Sequence, residues 1–236
     1  MNGLNFYRNY RLNYLEDRQL ISGSHNFWIR VWILFLLALL VSVPFVFESY
    51  LVYTLNLAAI SVIGALGLNL LTGNTGQISL AHASFLALGA YTTAYMAKLG
   101  IPFILVIPIS GAVAAVAGCL IALPSLRLKG LYLALATLSF YVIVDFILRK
   151  ASSLTGGSAG THVPQPEIFS WTISTDRGFY FLILTVAVIC AIFVANLQRT
   201  WVGRAMMAVR DSDIAAEMAG ISVFQTKLMA FALSSF

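Results

Sequence analysis

The sequence predicts an all-α, polytopic membrane protein with about six complete spans and the start of a seventh. Hydrophobic residues make up 60% of the 236 residues and charged residues only 10%, whereas soluble globular domains carry about 25% charged residues. The mean hydropathy is +0.88. Six apolar stretches are long enough for a helix rising about 1.5 Å per residue to cross the hydrocarbon core, which needs roughly 17–25 residues.

Residues 1–28 precede the first stretch and read as a cytoplasmic or interfacial segment. Tyr7, Tyr10 and Tyr14 share one helical face beside Arg8, Arg11 and Arg18, which suits a helix lying on the membrane surface and equally a disordered tail. No small-residue cleavage pattern follows the first apolar run, so that run reads as a retained span. The transmembrane domain, residues 29–236, then contains Ile29–Phe47, Leu51–Leu71, Ile78–Ala97, Pro102–Leu123, Leu131–Leu148 and Phe179–Ala195, with a seventh span starting near Lys227. Ser110, Ala114 and Gly118 recur every four residues and form a low ridge for close helix contact, as do Ala83 with Ala87 and Ala90 with Ala94. Asp145 would be costly in lipid, but Arg149 lies one turn later on the same face, so the two form a structural ion pair. Cys119 and Cys190 fall inside apolar runs without metal-ligand spacing and imply neither a disulfide nor a metal site.

Charge orients the spans. With the segment after the sixth span on the cytoplasmic side, alternation puts the amino terminus and the Pro124–Gly130 turn inside as well. Ten of the fourteen Lys and Arg residues then lie inside and four, Lys98, Arg149, Lys150 and Arg177, outside, as the positive-inside rule requires. The net charge of +5 is accounted for by the membrane, and no nucleic-acid partner is needed. The external loop Lys150–Gly178 connects two spans or contacts a soluble partner.

Between the sixth and seventh spans lies an amphipathic insert, Arg199–Ile221. It contains two short helical patterns. The first runs through Arg204–Arg210; the second opens at Asp211 or Asp213, where a carboxylate can accept the free N–H groups of a first turn, and closes at Gly220. Gly203, Ala205, Ala208, Ala215, Ala216 and Ala219 leave low surfaces against which another protein can pack. A docking surface and a solvated interfacial helix both fit. The junction of the second and third spans, Asn69 to His82, gathers Asn69, Gly73, Gly76, Gln77, Ser79 and His82 where a simple hairpin needs no polar groups. Irregular backbone at membrane depth is tolerated only where it is buried in protein or lines a wet cavity, so these residues are candidates for a solute pathway. The other reading is capping and hydrogen bonding between helices. Gly156-Gly-Ser158-Ala-Gly160 matches G-x-S-x-G but lies in a loop without the strand and helix that motif requires, so no hydrolase is indicated. Nor is there a phosphate-binding lysine loop, and ATP hydrolysis would have to come from another chain.

Gly67-Leu-Asn-Leu-Leu-Thr-Gly-Asn-Thr-Gly-Gln-Ile-Ser-Leu-Ala-His-Ala-Ser-Phe85 and Leu123-Pro-Ser-Leu-Arg-Leu-Lys-Gly-Leu-Tyr-Leu-Ala134 resemble the branched-chain amino-acid ABC importer permeases, of the M-type membrane subunit. The similarity continues through Thr155-Gly-Gly-Ser158, Gly203-Arg-Ala205, Ala208-Val-Arg-Asp211 and Ile214–Ile221, and covers nearly everything after residue 50. The resemblance implies a multi-pass permease subunit in a prokaryotic plasma (inner) membrane. It would pair with a second permease subunit, two cytoplasmic ATP-binding subunits and an extracytoplasmic solute-binding protein. The chain itself would be no enzyme and bind no cofactor, ATP being used by the partners. Arg199–Ile221 then matches the family's coupling loop, with Gly203, Arg204, Ala208, Arg210, Asp211, Ala215, Ala216 and Gly220 coupling to the ATPase. The substrates implied are branched-chain or related hydrophobic amino acids. A permease for urea or short amides is the alternative within the family, and a self-contained channel or secondary transporter is the alternative outside it. Two departures stand out: Tyr141-Val142 occupies a place where relatives often have a small residue followed by an acidic one, and relatives continue through further spans beyond Phe236, so the chain is expected to be truncated relative to them.

Overall fold

The structure, a computed structural model, describes residues 25–125, 128, 130–157, 160–161, 163, 165, 167–168, 171–172 and 175–236. The amino-terminal tyrosines and arginines, Arg127, Lys129 and Ser158 lie outside the described residues. The chain divides into two compact units, residues 1–52 and 53–236. In the first, helix α1 (His25–Val46) starts one turn before the apolar run does and carries Pro44 in its last turn. Trp32 and Phe35 meet edge to face and are both exposed, as befits a helix with an apolar surround.

Among the described residues the second unit is helical apart from one pair of two-residue strands. Helix α2 (Ser49–Leu68) enters it and continues as a π-helical turn, Asn69–Gly73. Helices α3 (His82–Lys98), α4 (Phe103–Ser125) and α5 (Leu131–Lys150) follow, then the single turn α6 (Ser152–Thr155) and the two-residue strands β1 (Glu167–Ile168) and β2 (Trp171–Thr172). The strands pair antiparallel, Glu167 opposite Thr172. Helix α7 (Asp176–Arg199) leads into the insert, which forms α8 (Trp201–Asp211) and α9 (Asp213–Met218), and α10 (Val223–Ser235) completes the described chain. Among the described residues four helical stretches are long and apolar enough to cross a membrane: Ser49–Gly73, Phe103–Pro124, Leu131–Lys150 and Asp176–Arg199; Val31–Val46 is a shorter apolar one.

Lipid cannot hydrogen-bond a hydroxyl, so Ser and Thr in such helices return theirs to the backbone. Ser61 donates to the Leu57 carbonyl at 2.9 Å, Thr92 to Leu88 at 2.7 Å, Ser139 to Leu135 at 3.0 Å and Thr185 to Phe181 at 2.7 Å. Helix α4 is central, with α3 on one side and α10 on another. Its expected ridge is real: Ser110, Ala114 and Gly118 are buried. A Cβ on Gly118 would come within 2.8 Å of Ser235 Cβ, while Ala114 packs with Ala81 and Phe85. The alanine pattern of α3 does not behave this way, since Ala83 and Ala90 are exposed and Ser84, Phe85 and Ala94 face inward. Arg149 Nε bonds Asp145 Oδ2 at 2.9 Å, the expected i,i+4 pair.

At one end of the bundle Asn56 Nδ2 donates to the Asp176 carbonyl at 3.2 Å, Thr155 Oγ1 donates to the Leu148 carbonyl at 2.6 Å, and the Lys98 ammonium bonds the Thr161 hydroxyl. At the other, the insert sits against the π-helical turn. The main core joins Leu70 and Leu71 of that turn to Ala122, Leu133, Met206, Ala230 and Phe231. Helices in lipid are held by such packing and by interhelical hydrogen bonds rather than by exclusion of water.

Candidate functional site

The expected third span does not begin as a helix at Ile78. Gly76 has φ +67, a left-handed conformation that breaks the helix. The backbone of residues 77–80 is not helical, and the side chains from Gln77 to Ala81 alternate: Gln77 and Ser79 are each 4% exposed and Ala81 0%, whereas Ile78 is 49% and Leu80 51% exposed. Polar groups thus face the protein and apolar ones face out, the period-2 pattern of extended backbone. Helix α3 starts only at His82. The Leu80 N–H is satisfied by Thr137 Oγ1 of α5 at 3.0 Å, and the Thr137 hydroxyl donates in turn to the Ala134 carbonyl at 2.9 Å.

In the π-helical turn before this segment the Asn69 side chain folds over Gly73, where a Cβ would lie 2.2 Å from Asn69 Oδ1. Thr72 donates to the Leu68 carbonyl at 2.7 Å, the Thr75 hydroxyl to that of Leu71, and the Gln77 N–H also reaches Leu71, at 3.2 Å. Beyond Ala81, His82 Nε2 lies 3.1 Å from Ser234 Oγ, which donates to the Gly67 carbonyl at 2.8 Å. With the Ser234 proton so committed, His82 Nε2 is the donor and Nδ1 the free acceptor. Among the described residues both carboxamide atoms of Gln77, Asn74 Nδ2, His82 Nδ1 and Ser84 Oγ are buried without a partner. Each such atom costs about 1–3 kcal/mol, so their clustering along one short segment calls for a functional account.

The insert folds back on the bundle. Thr200 caps α8 through Gly203 N at 3.4 Å, and Ser212 caps α9 through Ala215 N at 3.3 Å. The cap is thus a serine, not Asp211 or Asp213; Asp213 instead pairs with Lys227 of α10 at 2.9 Å. Helix α9 ends as expected at Gly220, with φ +80, the Gly220 N–H bonding the Glu217 carbonyl and the Ile221 N–H that of Ala216, each at 2.9 Å. Three residues expected at a partner-facing surface lie inside the chain, among them Ala205 at 2% exposed. Gly203 is buried where α8 turns against α7, and Ala216 is only 2% exposed. The amphipathic spacing of α8 explains the two in that helix, because Gly203, Ala205, Met206 and Val209 form the stripe that packs inward. Arg204, Arg210, Asp211, Ala215 and Gly220 are exposed and Ala208 is half-buried.

The structure brings the two sets of site residues together. A cleft of about 330 Å³ separates the extended segment from the insert, with Thr75, Gly76 and Gln77 on one wall and Arg210, Asp213 and Lys227 on the other. Arg210 Nη1 donates to the Gly73 carbonyl at 2.7 Å, and Gln198 Nε2 to Asn74 Oδ1 at 3.4 Å. Of the six pathway candidates only Gly76 and Gln77 line this cleft; Asn69 is exposed, His82 turns toward Ser234, and Gly73 and Ser79 lie outside the lining. Asn74, Thr137, Gln198 and Ser234 are participants that sequence reasoning missed. Asn74 stands inside the polar run, but the other three carry no local signal.

Residues 50–236 match the family described as branched-chain amino acid transport system, permease component. The chain belongs to that family. It is 35% identical over 231 residues to the high-affinity branched-chain amino acid transport system permease protein LivM of Escherichia coli (strain K12), an alignment covering 87% of this chain and 54% of that protein. The LivM protein of Salmonella typhimurium is 35% identical over 230 residues, covering 86% and 54%. A probable branched-chain amino acid transport permease protein LivM of Methanocaldococcus jannaschii is 26% identical over 134 residues, covering 56% and 38%. The chain spans about half the length of the curated relatives it matches. No solved structure matches it.

The family is that of a permease component of a transport system, and the four long apolar helical stretches among the described residues fit a multi-pass membrane protein. The matched region takes in the π-helical turn, the extended segment and the insert. The cleft therefore lies within the part shared with relatives.

Proposed function

We propose that this permease is the membrane-spanning subunit of an ATP-driven importer for branched-chain or related hydrophobic amino acids. The observation that carries the proposal is the outer face of the insert. Ile214 is 74% and Met218 87% exposed on a six-residue helix that is capped at both ends and held to α10 by the Asp213–Lys227 pair. Large apolar side chains on a short, rigid, capped element outside the apolar spans suit insertion into a groove of a soluble partner. Glu217 of the same helix is exposed and provides a charged rim beside them. In this reading the partners are two cytoplasmic ATP-binding subunits, a second permease subunit and an extracytoplasmic solute-binding protein; ATP is used by the partners, and the permease binds no cofactor.

In this reading the chain has six spans and the start of a seventh, α1 and α3 being added to the four clear ones, and the amino terminus and the insert lie on the cytoplasmic side of a prokaryotic plasma membrane. The distribution of Lys and Arg supports this orientation. Gln77 and Ser79, on the inward face of the extended segment, border the solute path, and the unpaired carboxamide of Gln77 offers a donor and an acceptor to a passing zwitterion. Closure of the ATP-binding subunits displaces the insert, and the helices switch access from outside to inside. Such switching needs two states that partner contacts bias.

The test is copurification of the ATP-binding subunits with variants of the exposed apolar pair. Ile214→Asp or Met218→Asp places a carboxylate in the seat at a cost of about 2–4 kcal/mol, on the order of 30- to 1,000-fold in association. Membrane abundance should be unchanged, because neither side chain packs inside the chain. Full copurification by both variants would remove α9 from the interface.

A further inference from the structure

We infer that Arg210 is a strut that carries movement of the insert to the π-helical turn, so that it couples the ATP-binding partners to the solute path instead of docking them. This inference rests on the importer reading. The two arginines of α8 differ in reach. Arg204 Nη1 bonds the carbonyl of Arg199 at 2.9 Å and stays within its own corner. Arg210 Nη1 crosses to the carbonyl of Gly73 at 2.7 Å, joining residues 137 apart in sequence. Gly73 is the last residue of the π-helical turn, where a carbonyl lacks an intrahelical donor and seeks one from outside. The stem of Arg210 lies flat over Gly76, where a Cβ would be only 3.3 Å from Arg210 Cγ. A side chain at position 76 would lift the strut.

The element at each end of this link is suited to its part. Helix α8 is seated by Met206, 0% exposed, and Val209, 3% exposed, and Met206 packs with Leu70 and Leu71 of the turn itself. The insert and the turn therefore share a packed face, while the Arg210 bond fixes the point at which the chain leaves it. The Gln198–Asn74 bond at 3.4 Å marks the next residue along. A π-helical turn holds one residue more than an α-helical one, so shedding it rotates the chain beyond it by about 100° and advances that chain by about 1.5 Å. One turn's length past Gly73 comes Gln77, 4% exposed and with both carboxamide atoms unpaired. Holding or releasing the Gly73 carbonyl thus sets which way the Gln77 side chain faces. The contact has the form of a two-state device whose input is α8 and whose output borders the cleft.

The experiment uses the complete transporter reconstituted in proteoliposomes, with leucine as the probe, and reads amino acid transported per ATP hydrolysed. Arg210→Ala should copurify with the ATP-binding subunits as the unaltered protein does and keep ATP hydrolysis within about twofold. Its transport per ATP should fall at least tenfold, within the range of measured coupling effects, about 5- to 150-fold. Arg210→Lys, whose ammonium can still reach a carbonyl, should recover most of that ratio, a rescue that a general packing role would not show. Arg210→Gln, too short to span the gap, gives the same test should the alanine variant not accumulate. Loss of copurification would make Arg210 a docking residue and overturn the inference, as would an unchanged transport-to-ATP ratio. A transporter with unaltered Arg210 that imports leucine without ATP would instead overturn the importer reading on which the inference rests.

Discussion

Gly203→Leu should detach the insert from the bundle and lower the thermal midpoint of the detergent-solubilised protein more than any exposed substitution in Arg199–Ile221. A Cβ at this position would lie 2.3 Å from the Leu197 carbonyl oxygen and 2.5 Å from Gln198 Cα. Both are backbone atoms and cannot rotate aside, so the corner between α7 and α8 must open. Overpacking of this kind costs about 1–3 kcal/mol and occasionally more. The seat of Met206 and Val209 is lost with the corner, and Arg210 is drawn off the Gly73 carbonyl. Gly203→Ala carries the same Cβ and should show the same effect in smaller measure. Size-exclusion profiles after a heating series would check this. A midpoint equal to that of the unaltered protein would mean that the α7–α8 corner is looser than described. Met218→Asp provides the contrast: it should leave the midpoint unchanged and reduce partner binding alone.

Gln77→Leu should raise thermal stability and lower uptake at the same time. Gln77 is buried with its carboxamide oxygen and nitrogen both unpaired. Replacing an unpaired buried polar group by an apolar one of similar length removes a penalty of about 1–3 kcal/mol, so a purely structural residue here would be improved by the change. A residue that borders the solute path loses its donor and acceptor for a zwitterion, and uptake should fall by at least tenfold. Opposite signs in the two measurements are the signature of stability given up for function. Equal losses of uptake and abundance would return Gln77 to a packing role, and unchanged uptake would take it out of the pathway.

Hydropathy located four of the expected spans well because lipid selects for apolar side chains over a fixed depth, but it does not see where a helix ends. Helix α7 begins at Asp176 rather than Phe179 and α10 at Val223 rather than Lys227, since polar turns continue a helix beyond the apolar stretch. The largest miss, the start of α3, has a local cause that was legible in principle. Gln77-Ile-Ser-Leu-Ala81 alternates polar and apolar with period 2 directly after a glycine, and averaging over a span-length window erases that alternation. The polar cluster itself was visible as a violation of membrane composition. Its partners were not: Thr137, Gln198 and Ser234 are 57, 124 and 152 residues away from Leu80, Asn74 and His82, the residues they bond. In the insert, small residues marked close approach without saying to what. Gly203 and Ala216 approach this chain's own interior, and the inward stripe of α8 distinguishes only Gly203 from its exposed neighbours.

The central claim, that this permease works as part of an ATP-driven importer, is tested most directly by leucine uptake into proteoliposomes holding the chain with its ATP-binding partners. ATP and the solute-binding protein would be supplied, and ion gradients dissipated. The account predicts uptake that requires ATP, ceases when the partners cannot hydrolyse it, and is indifferent to sodium or proton gradients. Uptake that persists without the ATP-binding subunits and follows an imposed ion gradient would contradict it.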